Sequence, residues 1–250
     1  MFSCLRGRQA PPGLPKYGYL LETDSGTAVG AILLIFSAQP GHEQKFRCNV
    51  SSWFVEPQFR GYASLLVSKA LSHSNVTYLN ITPAPHTLAI LRAQGYSQYS
   101  KGVFVAFPAL RSGSRGTRVI PVNATSTCPP VDDEFESKVL LDHARYGCIS
   151  LLCGVRNELY PFVFRPRAYK GIPCAQLVYC RDRDQFVRFA GPLGRLLAAH
   201  GRPLVVLDAN GPVPQLLGRF FEGRMPKYFK GPVPPRLGDL AYTEAAMFGM

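Results

Sequence analysis

The run Val55-Glu56-Pro57-Gln58-Phe59-Arg60-Gly61-Tyr62-Ala63-Ser64-Leu65-Leu66 constrains this chain more than any other segment. Ahead of it, Phe46 to Val55 puts Phe46, Cys48, Val50 and Ser52 on one face, the two-residue period of a strand. Pro57 removes a backbone donor and ends that strand. From Gly61 to His73 the period changes. Ala63, Leu66, Val67 and Ala70 fall at i, i+3, i+4 and i+7, one face of a helix, and Ser64, Ser68 and Ser72 line another. The chain must turn from strand into helix at this corner. A helix start leaves about four N–H groups without intrahelical partners and carries partial positive charge, so an anion is favoured there. Gly61 has no Cβ to block a phosphate, Ala63 is small, Arg60 adds charge and Ser64 offers a hydroxyl.

The surrounding pattern alternates strands and helices. Tyr17–Glu22 and Ala28–Ala38 are expected as strands joined by the turn Thr23-Asp24-Ser25-Gly26-Thr27. Asn75–Ile81 is expected as a strand, Thr87–Gln94 as a short helix stopped at Gly95, and Tyr96–Tyr99 with Gly102–Phe107 as a closing hairpin. Ala109–Thr117, rich in Ser, Gly and Arg, reads as a linker. Beyond it come a strand at Arg118–Val122, a helix at Asp132–Tyr146, a strand pair at Ile149–Val155 and Leu159–Phe164, and a strand at Pro173–Cys180. Phe186–His200 reads as a helix kinked or restarted at Pro192, Pro203–Asp208 as a buried strand, Val213–Phe221 as a helix, and Met225–Lys230 and Asp239–Phe248 as final strands. Both halves run strand, strand, strand, helix, strand, helix, strand, strand, with no residue-level repeat. The expectation is an α/β chain with an α+β mixed sheet, in two tandem domains, residues 1–110 and 111–250. Twenty-two prolines and 23 glycines exclude a coiled coil or a helical bundle as the main architecture.

Charge and cysteines bound the partners. Lys plus Arg is 28 against 16 acidic residues, a formal charge of +12, and such a surface attracts polyanions. No helix-turn-helix pair, zinc-finger spacing or RNP signature accompanies it, so nucleic acid is not the expected partner. Cys4, Cys48, Cys128, Cys148, Cys153, Cys174 and Cys180 contain no C-x-x-C and several lie in apolar runs. They read as buried free thiols of a reducing compartment, with no metal site. Met1–Lys16 has no apolar core and reads as neither signal peptide nor anchor. The longest apolar run, Ala28–Ala38, is shorter than the ~20 residues that span a bilayer. A cytoplasmic monomer or homodimer with no membrane partner is expected.

On the quoted residues, the corner resembles the acyl-CoA pyrophosphate loop of the GNAT superfamily of N-acyltransferases, whose pattern is Q/R-x-x-G-x-G/A. Gln58-Phe59-Arg60-Gly61-Tyr62-Ala63 fits it, and Val55 and Pro57 match the Val-x-Pro that precedes it. Gly26, Val29 and Gly30 in the hairpin Glu22–Leu34 resemble the family's acidic–Gly turn, and Gln94-Gly95-Tyr96 resembles its x-G-F. The resemblance spans about residues 17–108. It implies that Phe46–Val55 and Asn75–Ile81 splay, with a pantetheine arm between them near the main chain of Trp53, Phe54 and Val55. Gln58, Phe59, Arg60, Gly61, Tyr62, Ala63 and Ser64 would hold the diphosphate of acetyl-CoA or another acyl-CoA. The implied activity is acyl transfer from CoA, acetyl above all, to the amine of a small molecule or peptide.

Three features depart from the family's pattern. Leu91 stands where a Tyr often protonates the leaving thiolate, Ala84 stands where an Asn is common, and the usual opening strand and two helices do not precede Tyr17. Acid–base work then falls to His86, near the start of the helix that contains Leu91, or to Tyr99, with Tyr78 in reserve. The alternative is a non-catalytic GNAT-fold binding or scaffold protein. After Cys180, Arg181-Asp182-Arg183-Asp184-Gln185 has no glycine and two carboxylates that repel a diphosphate. The second half therefore reads as a degenerate copy that does not bind CoA.

Overall fold

Alternating apolar residues build an antiparallel meander of β1 (Gly18–Glu22), β2 (Ala28–Ala38) and β3 (Phe46–Val55). The computed structural model describes residues 3–39, 41, 45–113, 116–126, 131, 133–169 and 171–248. It divides into two compact units. Unit 1 comprises Met1–Gln98, Lys227–Pro234 and Tyr242–Glu244, and unit 2 comprises Tyr99–Pro226, Pro235–Ala241 and Ala245–Met250. The first boundary between the units is at Gln98/Tyr99, and pieces of the C-terminal segment belong to unit 1.

In unit 1, a short helix α1 (Ser3–Arg6) precedes the meander. A 3₁₀ turn at Pro57–Tyr62 then leads into α2 (Ala63–Ala70), which crosses to β4 (Val76–Asn80), parallel to β3. A second 3₁₀ turn, Pro85–Thr87, precedes α3 (Leu88–Ala93). The predicted apolar face of α2 is the one that is buried: Leu66, Val67 and Ala70 pack with Leu34, Phe36, Cys48, Tyr78 and Leu91. Fully burying a side chain such as Leu34 contributes about 1.5–3 kcal/mol. Tyr228–Lys230 pairs antiparallel with Tyr78–Asn80 and completes this sheet. Gly18 cannot be replaced cheaply, because it has φ +120° and its Cβ would lie 2.0 Å from the Ile32 carbonyl oxygen.

Unit 2 takes in most of β5 (Ser97–Ala106), followed by β6 (Thr117–Val122), α4 (Glu134–Arg145), β7 (Ile149–Val155), β8 (Glu158–Tyr169) and β9 (Ile172–Cys180). Then come α5 (Arg183–Ala199), β10 (Leu204–Ala209), β11 (Gly218–Lys230), whose last residues belong to unit 1, and α6 (Glu244–Met247). Strands β6 to β9 are antiparallel neighbours, β9 and β10 are parallel, and β10 pairs antiparallel with β5. Phe162, Phe164, Phe186, Phe189, Leu193 and Leu197 centre the core. Unit 1 thus has three antiparallel strands, a helix and a parallel fourth strand, and unit 2 has four antiparallel strands, β6 to β9, then α5 and the parallel β10. The α/β class with a mixed sheet is as expected.

Four expectations are corrected. Tyr96–Tyr99 and Gly102–Phe107 do not form a hairpin, because β5 runs straight through and Gly102 stays in the strand. A Cβ on Gly102 would meet the Phe221 carbonyl oxygen at 2.2 Å, so its smallness allows close strand approach. Val213–Phe221 is not a helix: β11 starts at Gly218, and strand pairing prevails over a weak helical period. Asp239–Phe248 gives only a bridge, Tyr179 to Asp239, followed by α6. Ala109–Thr117 is no free linker, since Gly191 and Gly194 of α5 let Arg111 and Ala109 approach so closely that a Cβ would meet their backbone at 2.2 and 2.3 Å. Ser114, Arg115, Cys128 and Asp132 lie outside the described residues. Pro192 sits inside α5 without ending it.

The described cysteines are free thiols: Cys48, Cys148, Cys153, Cys174 and Cys180 are buried, and Cys4 is half-buried.

Candidate functional site

Strands β3 and β4 part within unit 1. They pair from Phe46↔Val76 to Asn49↔Leu79, after which β3 continues to Val55 without β4 beside it. A bulge lies just beyond the last pair. The β2–β3 register passes from Leu34↔Val50 to Ile32↔Trp53, so Ser51 and Ser52 together face Leu33. An extra residue bends a strand and increases its twist. The bent arm ends on the surface, with Phe54 64% and Trp53 38% exposed, while Val55 is buried. The pairing thus ends where the expected splay of these two strands would begin.

The arm runs into the predicted corner. The Glu56 N–H donates to the Val29 carbonyl at 2.9 Å, and Pro57 then opens the 3₁₀ turn. Gln58, Arg60, Gly61, Tyr62 and Ser64 are exposed, Phe59 and Ala63 are half-buried, and nothing lies within 4 Å of a Cβ built on Gly61. At Gly61 no described side chain fills the corner. Nor is it an open row of amides as expected: the Phe59 N–H donates to the Glu56 carbonyl at 2.9 Å and the Ala63 N–H to the Arg60 carbonyl. Proline presets the turn, and i→i+3 bonds of poorer geometry than helical ones engage these donors. A diphosphate would have to compete with those bonds. Gln58 Nε2 donates to Glu56 Oε2 at 2.6 Å, so its amide is held beside the corner.

The acid–base candidates are dispersed. His86 is exposed on the Pro85–Thr87 turn of unit 1. Tyr99 belongs to unit 2, where its carbonyl accepts from Asn210 Nδ2 at 3.0 Å. Tyr78 is a core residue, 2% exposed, with its hydroxyl accepting from the His73 N–H at 3.1 Å. Burial pushes it up to about 12, so it is a poor acid at neutral pH. Leu91 is buried in the core of unit 1.

Glu244, which sequence reasoning placed in a strand, lies at this fork. Ser51 Oγ donates to Oε2, Thr82 Oγ1 donates to Oε1, and the Glu244 N–H donates to Asn49 Oδ1 at 2.7 Å. Ser51 lies on the arm of β3 and Thr82 just past β4, so one carboxylate bridges the parted strands. It is 2% exposed. No local signal marks it, because the residues that hold it are more than 160 positions away in the chain.

Unit 2 has a comparable fork that its own chain closes. Strands β9 and β10 pair only from Cys174↔Leu204 to Gln176↔Val206, and Val178 is the extra residue of a bulge against β8. On the edge of β9 away from β8, the Leu240 N–H donates to the Val178 carbonyl at 2.7 Å and the Cys180 N–H to the Gly238 carbonyl at 2.9 Å. At the start of α5, Asp182 Oδ1 accepts the Asp184 N–H at 3.1 Å, so a carboxylate sits where an anion would bind. A cleft of about 480 Å³ flanks that helix start, lined by Arg111, Arg183 and Arg188 but also by Asp184, and Arg111 is tied to Gln215 at 2.7 Å.

Among the described residues, no helix is long and apolar enough to cross a membrane, and no cluster of His, Cys, Asp or Glu could hold a metal.

No protein-family profile and no curated protein matches the chain. Solved structures do. A GCN5-related N-acetyltransferase from Anabaena variabilis superposes with a TM-score of 0.53 at 12% identity, over 84% of this chain and 61% of that one. Eis1 from Mycobacterium abscessus superposes with a TM-score of 0.52 at 14% identity, over 96% of this chain and 70% of that one. The chain thus spans about three fifths of the Anabaena variabilis protein's length. At such identities the likeness is one of fold, and the fold is that of the GNAT superfamily.

Proposed function

We propose that unit 1 is the acyl-CoA site of an N-acyltransferase that moves an acyl group, acetyl in the first instance, from CoA to the amine of a small molecule or peptide. The observation that carries this reading is the fork after Asn49 and Leu79, placed directly before the open corner at Gly61. The arm of β3 at Trp53, Phe54 and Val55 is a strand edge to which the amides of pantetheine can add. Gln58 to Ser64 follow it, with Arg60 adding charge for the diphosphate. In the transfer, the amine nitrogen bonds to the thioester carbonyl carbon, the C–S bond breaks, and the proton the amine gives up balances the departing thiolate. The protein's share is to orient the two groups and stabilise the oxyanion. His86 is an exposed titratable side chain of unit 1, on the turn that follows β4, whereas Tyr99 belongs to unit 2.

Unit 2 is read as a degenerate tandem copy, supported by the strap Gly238–Leu240 and the capping carboxylate of Asp182. A cytoplasmic location is supported by free cysteines. The second reading, a binding or scaffold protein without catalysis, is favoured by Leu91 and by the engaged amides of Phe59 and Ala63.

Calorimetric titration of acetyl-CoA tests the site, with Gly61→Glu as the control that places a negative charge in the corner. Heat from the wild type alone supports it, and no heat from the wild type sinks it. Thiol release over a panel of amines then separates an enzyme from a scaffold.

A further inference from the structure

We propose that the free edge of β1 pairs with the same edge of a second copy, so that two chains join about a two-fold axis at Leu20. Among the described residues, β2 is the only strand beside β1. Bonds at the two ends of β1 fix which main-chain groups face away from β2. The Leu34 N–H donates to the Tyr17 carbonyl at 3.1 Å, and the Thr23 N–H donates to the Thr27 carbonyl at 2.9 Å. Main-chain groups of an antiparallel strand alternate between its two edges. Tyr17, Tyr19, Leu21 and Thr23 therefore bond inward, and the N–H and C=O groups of Gly18, Leu20 and Glu22 point outward. No hydrogen bond to those outward groups occurs among the described residues. Such a row is a template for another strand. Strand β6, which also has a single neighbour, carries Pro121, whose missing N–H blunts an edge, and β1 has no such device.

The edge is complementary to itself in the antiparallel sense. With Leu20 opposite Leu20 of the second copy, Gly18 stands opposite Glu22, and the outward N–H and C=O groups meet at each of these pairs. Lys16, just before β1, then comes towards Glu22 and Asp24 at the far end of the facing strand, and the axis repeats this contact. Glu22 and Asp24 are exposed and form no ion pair among the described residues, while Lys16 Nζ donates to the Arg6 carbonyl at 2.8 Å and lies over the Tyr17 ring. From Lys16 to Thr27 one cation stands against two carboxylates, so this stretch is free of the basic excess that drives copies of a +12 chain apart. Apolar surface favours the same partner. Leu20 is opposite Ala31 and Ala31 is opposite Phe54, with Leu20 61% and Phe54 64% exposed. Joining two copies at Leu20 carries that row unbroken from one Phe54 to the other and shields both Leu20 side chains from water.

The test is sedimentation of the full chain over about 1–200 µM, the range in which an interface at the small end of the size scale associates. A dimer is expected. Leu20→Pro removes an outward N–H and leaves the bonds to β2 in place, and Leu20→Lys sets two like charges on the axis. Each weakens association by at least about tenfold. Leu20 is exposed, so the Lys variant keeps its fold and decides should the Pro variant not fold. Asp24→Lys weakens association by about threefold, and adding Lys16→Glu restores it, because opposite charges then face each other across the axis again. With oxidised glutathione, Leu20→Cys gives a reducible covalent dimer, since Cα atoms of a bonded antiparallel pair lie about 5.5 Å apart, within reach of a disulfide. Ile172→Cys, at an exposed position of unit 2, does not. A wild type that stays monomeric throughout the range overturns the proposal, and so does a dimer that withstands either Leu20→Lys or Asp24→Lys.

Discussion

Asn49 and Glu244 stand 195 residues apart, yet the main-chain N–H of Glu244 donates to Asn49 Oδ1 at 2.7 Å. Asn49 is the last residue of β3 paired with β4, so the same side chain marks the apex of the fork and docks the end of the chain into it. Its Nδ2 donates to the Val50 carbonyl at 3.2 Å, so both ends of the amide are in use.

Asn49→Leu is expected to leave the buried Glu244 N–H without an acceptor and to destabilise the protein by about 1–3 kcal/mol. Asn49→Asp keeps an acceptor at Oδ1 and is expected to cost less than the Leu variant. Urea midpoints measure both, and equal midpoints for the two would refute the role.

Gly61→Ala separates ligand clearance from folding. Nothing lies within 4 Å of the added methyl and the backbone there is not left-handed, so Tm is expected to stay within about 1–2 °C of wild type. Acetyl-CoA affinity is expected to fall about tenfold, because the methyl stands where a phosphate must approach. Calorimetry beside a melting curve checks both, and unchanged affinity counts against the site.

Gly238→Ala acts in unit 2. Its φ is +82° and the new Cβ would lie 2.7 Å from Cys180 Sγ, so the strap must shift at a cost of about 1–3 kcal/mol. The expected signs are a lower Tm and faster reaction of Cys180 with a thiol reagent, with acetyl-CoA still binding at one site per chain. Two sites in the wild type would show that the second fork is open.

Stability is expected to fall at alkaline pH. Burial raises Cys153 and Cys180 from 9.0 to about 12 and Tyr78 from 10.0 to about 12, so above pH 9 the folded chain holds protons that the unfolded chain has released. The contribution of these groups is complete below pH 9. It is lost as pH rises towards 12, by about 1.4 kcal/mol per pH unit for each group in its window. Urea midpoints between pH 8 and 11 measure the slope, and a flat profile contradicts it.

Local pattern carried a good part of the fold. The ends of β2 and β3, the turn of Pro57 into α2, and α4 beginning just after Asp133 depend on residues a few positions apart, and all were legible as periods, breakers and caps. The corner at Gln58 to Ser64 was legible for the same reason, but its amide bonding was not. Whether Phe59 and Ala63 donate inward depends on how tightly the turn winds, which residue types leave open. The bulge at Ser51 and Ser52, the straight run of β5, the strand at Gly218 and the burial of Glu244 were set by tertiary structure. Each depends on a partner far along the chain, and the free energy of pairing a strand edge, or of satisfying buried polar groups such as those of Glu244 by hydrogen bonds, exceeds the few tenths of a kcal/mol per residue by which local propensity chooses between helix and strand.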